Sequence, residues 1–247
     1  MKYTENRKIE YNECDECGQL KLTAMMDLLM QVSERQLQLA QASASDLVGR
    51  GLGWVVTQYH IEVTRLPKPL EEVIIGTEAI GYNRFLAYRD FWIADQAGEK
   101  LITVNSQWVL FDLEKRKMVP TDETLMQNIK APLLKKMPRF PRLRPLEQYD
   151  RGQTYRVTYY DLDTNHHLTN SHYFNWLIDL LDREFLHQYT VKTIDLKFDQ
   201  ELKYGMCPES LIKLEQQDQI VISHHVIKND ANEAAVCRIE WQNLDKE

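Results

Sequence analysis

The sequence predicts an α+β protein in which one arrangement, a buried helix wrapped by an antiparallel sheet, occurs twice. Three observations carry this: a broad apolar helical face near 22–42 and another near 170–186, β-rich runs after each, and one composition shift between them at about 129–150. The expected divisions are residues 1–128, a basic proline-rich linker at 129–150, and residues 151–247.

In the first half, Arg7 to Tyr11 alternates as a strand and a polar bend follows from Asn12 to Gly18. From Leu22 to about Ala42, apolar residues at 22, 25, 26, 29, 30, 32, 37 and 40 keep helical spacing, as a largely buried helix requires. Strand-like runs come next, near 54–65, 71–81, 84–95 and 100–112, punctuated by Pro67-Lys-Pro69 and Gln96-Ala-Gly98. The second half repeats the order. Gln153 to Tyr160 reads as a strand, Asp161 to Leu168 as a polar bend, and Asn170 to about Leu186 as a helix. Its strands fall near 193–203, 210–217, 219–228 and 234–243. Aligned bend to bend, Glu13, Asp15, Cys17 and Gln19 stand opposite Asp161, Asp163, Asn165 and His167, an offset of 148. Further on, Pro69 matches Pro208 at an offset of 139, which implies about nine extra residues in the first half around Ser43 to Gly51.

Composition narrows the function classes. With 247 residues, 43% of them hydrophobic, the chain can bury a sizeable core. A net charge of −7 argues against nucleic acid as the main partner, because phosphate binding needs a basic surface. The exception is a cluster of Lys130, Lys135, Lys136, Arg139, Arg142 and Arg144, interleaved with prolines, for which a solvated linker is the plain reading. No run approaches the ~18 apolar residues that span a bilayer, and the start MKYTENRKIEY lacks a signal peptide's apolar core. A cytoplasmic protein is therefore expected. Cys14, Cys17, Cys207 and Cys237 are too scattered for a disulfide framework, and Cys14-x-x-Cys17 lacks a second ligand pair, so reduced thiols and no metal are expected.

Chemistry concentrates in the second bend. Tyr160-Asp-Leu-Asp-Thr-Asn-His-His-Leu-Thr-Asn170 packs two carboxylates, two imidazoles and two carboxamides just before an apolar helix. Asp, Asn and Thr favour turns and helix caps, so a capped, solvated turn is the competing reading of the bend, although that preference does not account for adjacent histidines. His167 can move protons, Asp163 and Asn165 can fix a water and a carbonyl, and a helix start nearby would suit a developing oxyanion. The first half has neither the histidine nor the asparagine, so one site per chain is expected.

Asp161-Leu-Asp163-Thr-Asn165-His-His167-Leu-Thr-Asn170-Ser-His-Tyr173 resembles the D-L-D-x-N-x-H-x-x-N-x-x-Y motif of the plant and bacterial acyl-acyl-carrier-protein thioesterases. Val63-Thr-Arg65-Leu-Pro67, Tyr88-Arg-Asp90 and Ser106-Gln-Trp108-Val109 also resemble that family, so the likeness covers nearly the whole chain. It implies two tandem hotdog folds, each a long central helix wrapped by an antiparallel sheet. It also implies hydrolysis of fatty acyl thioesters on an acyl carrier protein, with no cofactor, and a site of Asp163, Asn165, His167 and a strand glutamate, here Glu201. An exposed edge glutamate is the competing reading of Glu201. Many plant members follow that glutamate with cysteine, where this chain has Leu202, which excludes a thiol mechanism there.

The implied reaction has Glu201 and His167 activate a water, Asp163 orient its neighbours and Asn165 hold the carbonyl or the water. The first half would form the acyl pocket, and an acidic carrier would dock through Lys135, Lys136 and Arg139. The alternatives are an acyl-CoA thioesterase with the same site and a non-catalytic acyl-binding module. Either a monomer or a homodimer is compatible with two halves in one chain.

Overall fold

The computed structural model describes residues 1–218 and 220–244. The chain divides into two compact units, Met1–Leu20 with Asp27–Phe140, and Lys21–Met26 with Pro141–Glu247.

In the first unit, β1 (Lys2–Lys8) leads through a 3-10 turn at Tyr11–Glu13 to helix α1 (Leu22–Leu39) and the short α2 (Ala44–Val48). Strands β2 (Leu52–Val63), β3 (Glu72–Tyr82), β4 (Leu86–Ala94), β5 (Lys100–Asp112) and β6 (Lys117–Val119) follow, then helix α3 (Glu123–Asn128). The strands pair antiparallel in the order β1-β3-β4-β5-β2, with β6 against β5. Met25, Met26, Leu29 and Val32 of α1 are buried, three and four residues apart as one helical face demands. Sequence periodicity did not reveal β6 and α3, because three and six residues are too short to show a period. Buried Arg89 donates to Gln36 and, at 2.9 Å, to the Thr77 hydroxyl, and burial lowers its pKa to about 10. It stays charged near neutrality.

In the second unit, β7 (Arg151–Thr154) and a 3-10 turn at Tyr159–Asp161 precede α4 (His172–Ile178) and α5 (Arg183–Gln188). Strands β8 (Tyr189–Phe198), β9 (Glu209–Gln217), β10 (Ile220–Asn229) and β11 (Asn232–Asn243) complete it. Their order is β7-β9-β10-β11-β8, all antiparallel. Each unit therefore runs first, third, fourth, fifth, second, so the repeat extends to topology. Tyr173, Phe174, Trp176 and Leu177 bury against this sheet, with Tyr173 edge-on to Phe198 at 5.0 Å.

One expected helix is two. The run expected from Asn170 to about Leu186 breaks at Asp179–Asp182. The Asp179 amide still bonds to the Asn175 carbonyl at 2.9 Å, but Leu181 bonds only three residues back, to Ile178. Asp182 is extended (φ −71°, ψ 148°) and starts the next helix. Both carboxylates have partners that hold the break. Asp179 accepts from the Tyr155 hydroxyl at 2.6 Å, and Asp182 pairs with Arg151 at 3.1 Å. Aspartate competes poorly inside a helix and well at its start.

Hydrogen bonds also correct the expected register between the halves. The Leu20 amide bonds to the Pro67 carbonyl at 2.9 Å as Leu168 bonds to Leu202 at 2.8 Å. Ile9 bonds to Glu71 as Val157 bonds to Met206, both at 2.9 Å, and Leu70 bonds to Ile9 at 2.8 Å as Gly205 bonds to Val157 at 3.0 Å. The offset in this region is thus 135, not 139, and Pro69 stands opposite Tyr204 rather than Pro208. The first half carries 13 extra residues between the two regions, not nine. Prolines mark turns without marking a position within them, which is why matching them misled.

The segment expected as a solvated linker lies on the first unit at its start. Leu134 and Tyr82 bond through the backbone at 2.8 Å, and Phe140 stacks on Tyr88 at 6.3 Å. Lys130, Lys135, Lys136, Arg139, Arg142 and Arg144 are all exposed.

Candidate active site

The bend before α4 is built around one carboxylate. Asp163 Oδ1 accepts from the backbone amides of Asn165 at 2.8 Å and His167 at 3.2 Å, the local pairing that makes aspartate a turn residue. The Asp163 amide donates to the His167 carbonyl at 2.8 Å, and Leu162 and Leu168 bridge antiparallel, closing the loop at its base. His166 takes up the tight turn at φ +66°. The Asn165 carboxamide lies 3.5 Å from Asp163 Oδ2, at the limit of a hydrogen bond.

The outgoing arm of this loop brings in the last member of the set. His167 bridges to Lys203, and the Leu168 amide donates to the Leu202 carbonyl at 2.8 Å. Leu202 is fully buried and anchors this segment. Glu201, next to it, then meets the imidazole, with His167 Nε2 3.1 Å from Glu201 Oε2. The two side chains keep 14% and 25% of their surface exposed, enough for a small reactant to reach them.

All four expected residues therefore lie within one local framework, with two corrections. Glu201 is not on a strand: β8 ends at Phe198, so the alternation that made its facing uncertain does not apply. The helix starts at His172, five residues after His167. The amides of His172 and Phe174 already donate to the Thr169 and Ser171 carbonyls, at 2.9 and 3.2 Å.

Two neighbours escaped the sequence reading. Tyr173 lies within the run expected as a helix, and its hydroxyl is raised well above its ordinary pKa, first by burial and then by the charge of Glu201, against a lowering contribution from the Leu202 amide. It is a neutral hydroxyl beside the Glu201 carboxylate. His172 Nε2 lies 3.5 Å from Asp161 Oδ1, and Asp161 Oδ2 accepts from the Thr158 amide and hydroxyl at 2.7 and 2.8 Å. The position of Tyr173 within the motif was the signal that could have found it.

Among the described residues no helix is long and apolar enough to cross a membrane, and the four cysteines are thiols. The imidazole and carboxylate in contact form an acid–base pair able to take a proton from water and return it to a leaving group.

The acyl-ACP thioesterase N-terminal domain family matches residues 1–129, and the acyl-ACP thioesterase C-terminal domain family matches residues 145–243. A protein of Lactobacillus plantarum, provisionally described as an oleoyl thioesterase, has a crystal structure 32% identical with a TM-score of 0.93, covering 99% of this chain and 97% of that one. The 12:0-ACP thioesterase of Umbellularia californica shares the fold at 18% identity, with a TM-score of 0.85 over 98% of this chain and 97% of that chain. The chloroplastic oleoyl-acyl carrier protein thioesterase of Coriandrum sativum is 27% identical over 196 residues, 74% of this chain and 53% of that protein. The chain spans about half the length of the curated relatives it matches. With two tandem hotdog halves and matches to both domain families over most of its length, this chain belongs to the acyl-ACP thioesterase family.

Proposed function

We propose that the chain hydrolyses fatty acyl thioesters borne by an acyl carrier protein, releasing a free fatty acid and the carrier's thiol, the step that ends chain extension. The observation that carries this reading is the 3.1 Å contact of His167 with Glu201 inside the family's own motif. The pair takes a proton from a water as its oxygen bonds to the thioester carbon. The tetrahedral adduct then collapses, the C–S bond breaks, and the proton goes to the departing sulfur. Asp163 holds the loop that presents His167 and Asn165, and Asn165 orients the water or the carbonyl. General acid–base catalysis of this kind contributes about 10²- to 10⁴-fold.

The first unit, whose bend carries Cys17 and Gln19 in place of Asn165 and His167, is the proposed acyl-chain half. Exposed Lys135, Lys136 and Arg139 are proposed to attract the acidic carrier. Charge reversal at these three should raise KM for acyl-carrier protein, and an unchanged KM removes them from docking. A reducing compartment such as the cytoplasm is the proposed location, in keeping with four cysteines too few and too scattered for a disulfide framework. The deciding assay measures thiol release from a panel of acyl-carrier proteins and acyl-CoAs by the wild type, His167→Ala and Glu201→Ala. No release from any substrate, or full activity in both variants, would sink the proposal. A uniform preference for CoA would transfer the activity to that carrier.

A further inference from the structure

We infer that the turn Lys203–Met206, with Arg156 beside it, is the docking rim for the phosphopantetheine arm of the carrier; this rests on the thioesterase reading above. The turn is fixed beside the candidate site. On one side Lys203 bridges to His167. On the other, the Val157 amide donates to the Met206 carbonyl at 2.9 Å and the Gly205 amide to the Val157 carbonyl at 3.0 Å, with Gly205 at φ +81°. At its tip, Tyr204 is 58% exposed and the Arg156 guanidinium lies 5.6 Å from its ring centre. Tyr159 and Tyr160, 74% and 94% exposed, follow Arg156 in the chain.

Scattered exposed aromatics need no explanation, but here three lie on the two short segments that carry the exposed cations Arg156 and Lys203. Aromatic rings with arginine are the composition of binding surfaces, and a guanidinium matches a phosphate with two parallel hydrogen bonds. The arm fits this rim by its chemistry: an anionic phosphodiester at one end, a branched apolar stretch behind it, and the thioester that must reach His167 and Glu201.

The first half supplies an internal control. In the register set by its hydrogen bonds, Lys8, Lys68 and Pro69 stand where Arg156, Lys203 and Tyr204 do. Its turn also carries an acid, since Glu71 accepts from the Lys68 amide at 2.9 Å and pairs with Arg65 at 2.6 Å. The catalytic half has Met206 there, whose sulfur takes the Lys203 amide at 3.3 Å, and Thr158 where the first half has Glu10. Exposed Tyr11 and Tyr159 occupy equivalent places in the two halves, so what sets the rim beside His167 apart is its lower acidity, Arg156 in place of Lys8, and Tyr204 in place of Pro69.

The test compares Arg156→Glu and Tyr204→Ala with Lys8→Glu, using one acyl group on carrier protein, on CoA and on N-acetylcysteamine, which has the thiol end but no phosphate. For Arg156→Glu, the ratio of kcat/KM on carrier to kcat/KM on N-acetylcysteamine should fall about tenfold, one factor of ten being a typical loss for a charge-assisted contact. Tyr204→Ala should lower it less, and Lys8→Glu should leave it within twofold. An unchanged ratio in Arg156→Glu, or an equal fall in Lys8→Glu, overturns the inference, as does a fall confined to CoA. If the wild type cleaves none of the three, the thioesterase reading fails instead. Binding of the holo-carrier by calorimetry then judges the rim, and equal affinities for wild type and Arg156→Glu overturn it.

Discussion

The bends of the two halves are the same piece of backbone with different side chains. Asp15 Oδ1 accepts from the amides of Cys17 and Gln19, both at 2.9 Å, as Asp163 Oδ1 accepts from Asn165 and His167. Asp15 donates to the Gln19 carbonyl at 2.9 Å, Cys14 bridges to Leu20, and Gly18 sits at φ +70° where His166 sits at +66°. Each bend follows a 3-10 turn. A framework that occurs twice, with acid–base side chains on only one copy, separates what folds the loop from what the loop does. The aspartate is architectural in both halves. The proposed chemistry enters at Asn165, His167 and Glu201, and the last of these stands where the first half has Leu66.

The sharpest way to break that separation is through activity. His167→Ala and Glu201→Ala should each lower kcat about 10²- to 10⁴-fold with folding intact, measured as thiol release. Gln19→Ala, at the equivalent place, should leave kcat within twofold. A comparable loss in Gln19→Ala would mean that both bends act in catalysis.

A second contrast lies in the basic side chain that each half buries. Arg89 remains charged near neutrality, whereas burial drives His225 from an ordinary 6.5 down to about 3. The ring accepts or donates one bond, at 2.8 Å to the Ser223 hydroxyl, which also receives the Trp241 indole N–H at 2.8 Å. Because the folded value lies below the unfolded one, the unfolded chain binds the extra proton between about pH 3 and 6.5. This contribution is whole above about pH 6.5 and is lost as pH falls, at up to ~1.4 kcal/mol per pH unit. Denaturant titrations at pH 7 and pH 5 should therefore differ by about 2 kcal/mol, and His225→Gln should flatten the slope. A slope that survives the substitution would assign the acid sensitivity elsewhere.

The aspartates give a smaller and more symmetrical effect. Asp15→Ala and Asp163→Ala each leave two backbone amides to water and should each cost about 1 kcal/mol. Only Asp163→Ala should also lower kcat, since only its loop presents His167. If the two differ in stability but not in activity, the equivalence of the bends fails.

Part of this architecture was legible in the residues alone. The offset of 148 between the bends was legible because turn and helix residues bunch there, and the long strands were legible from alternation. The break at Asp179–Asp182 was not, because it depends on Tyr155 and Arg151, which reach it from 24 and 31 residues away. Glu201 was found by its likeness to a family, yet its place rests on the Leu168–Leu202 hydrogen bond, a backbone contact that leaves no mark in side-chain pattern. The Pro69–Pro208 match failed for the same reason: two prolines were visible, whereas the bonds that set the register were not.

The smallest expected effect tests the backbone itself. His166 and Gly18 share a left-handed conformation that costs a residue with a Cβ about 1 kcal/mol relative to glycine. A Cβ built at Gly18 would find only the Pro69 ring, at an ordinary 3.8 Å, so strain in φ is the whole penalty. Gly18→Ala should therefore destabilise by about 1 kcal/mol. His166→Gly should be neutral or stabilising, because relief of strain offsets the freedom that glycine gains in the unfolded chain. His166 is exposed and next to the His167 imidazole, so a measurable loss of kcat in His166→Gly at unchanged stability would show that its side chain has a role beyond closing the turn. If both substitutions are neutral, the left-handed residue is not what holds either bend, and the paired amides on Asp15 and Asp163 carry the loop alone.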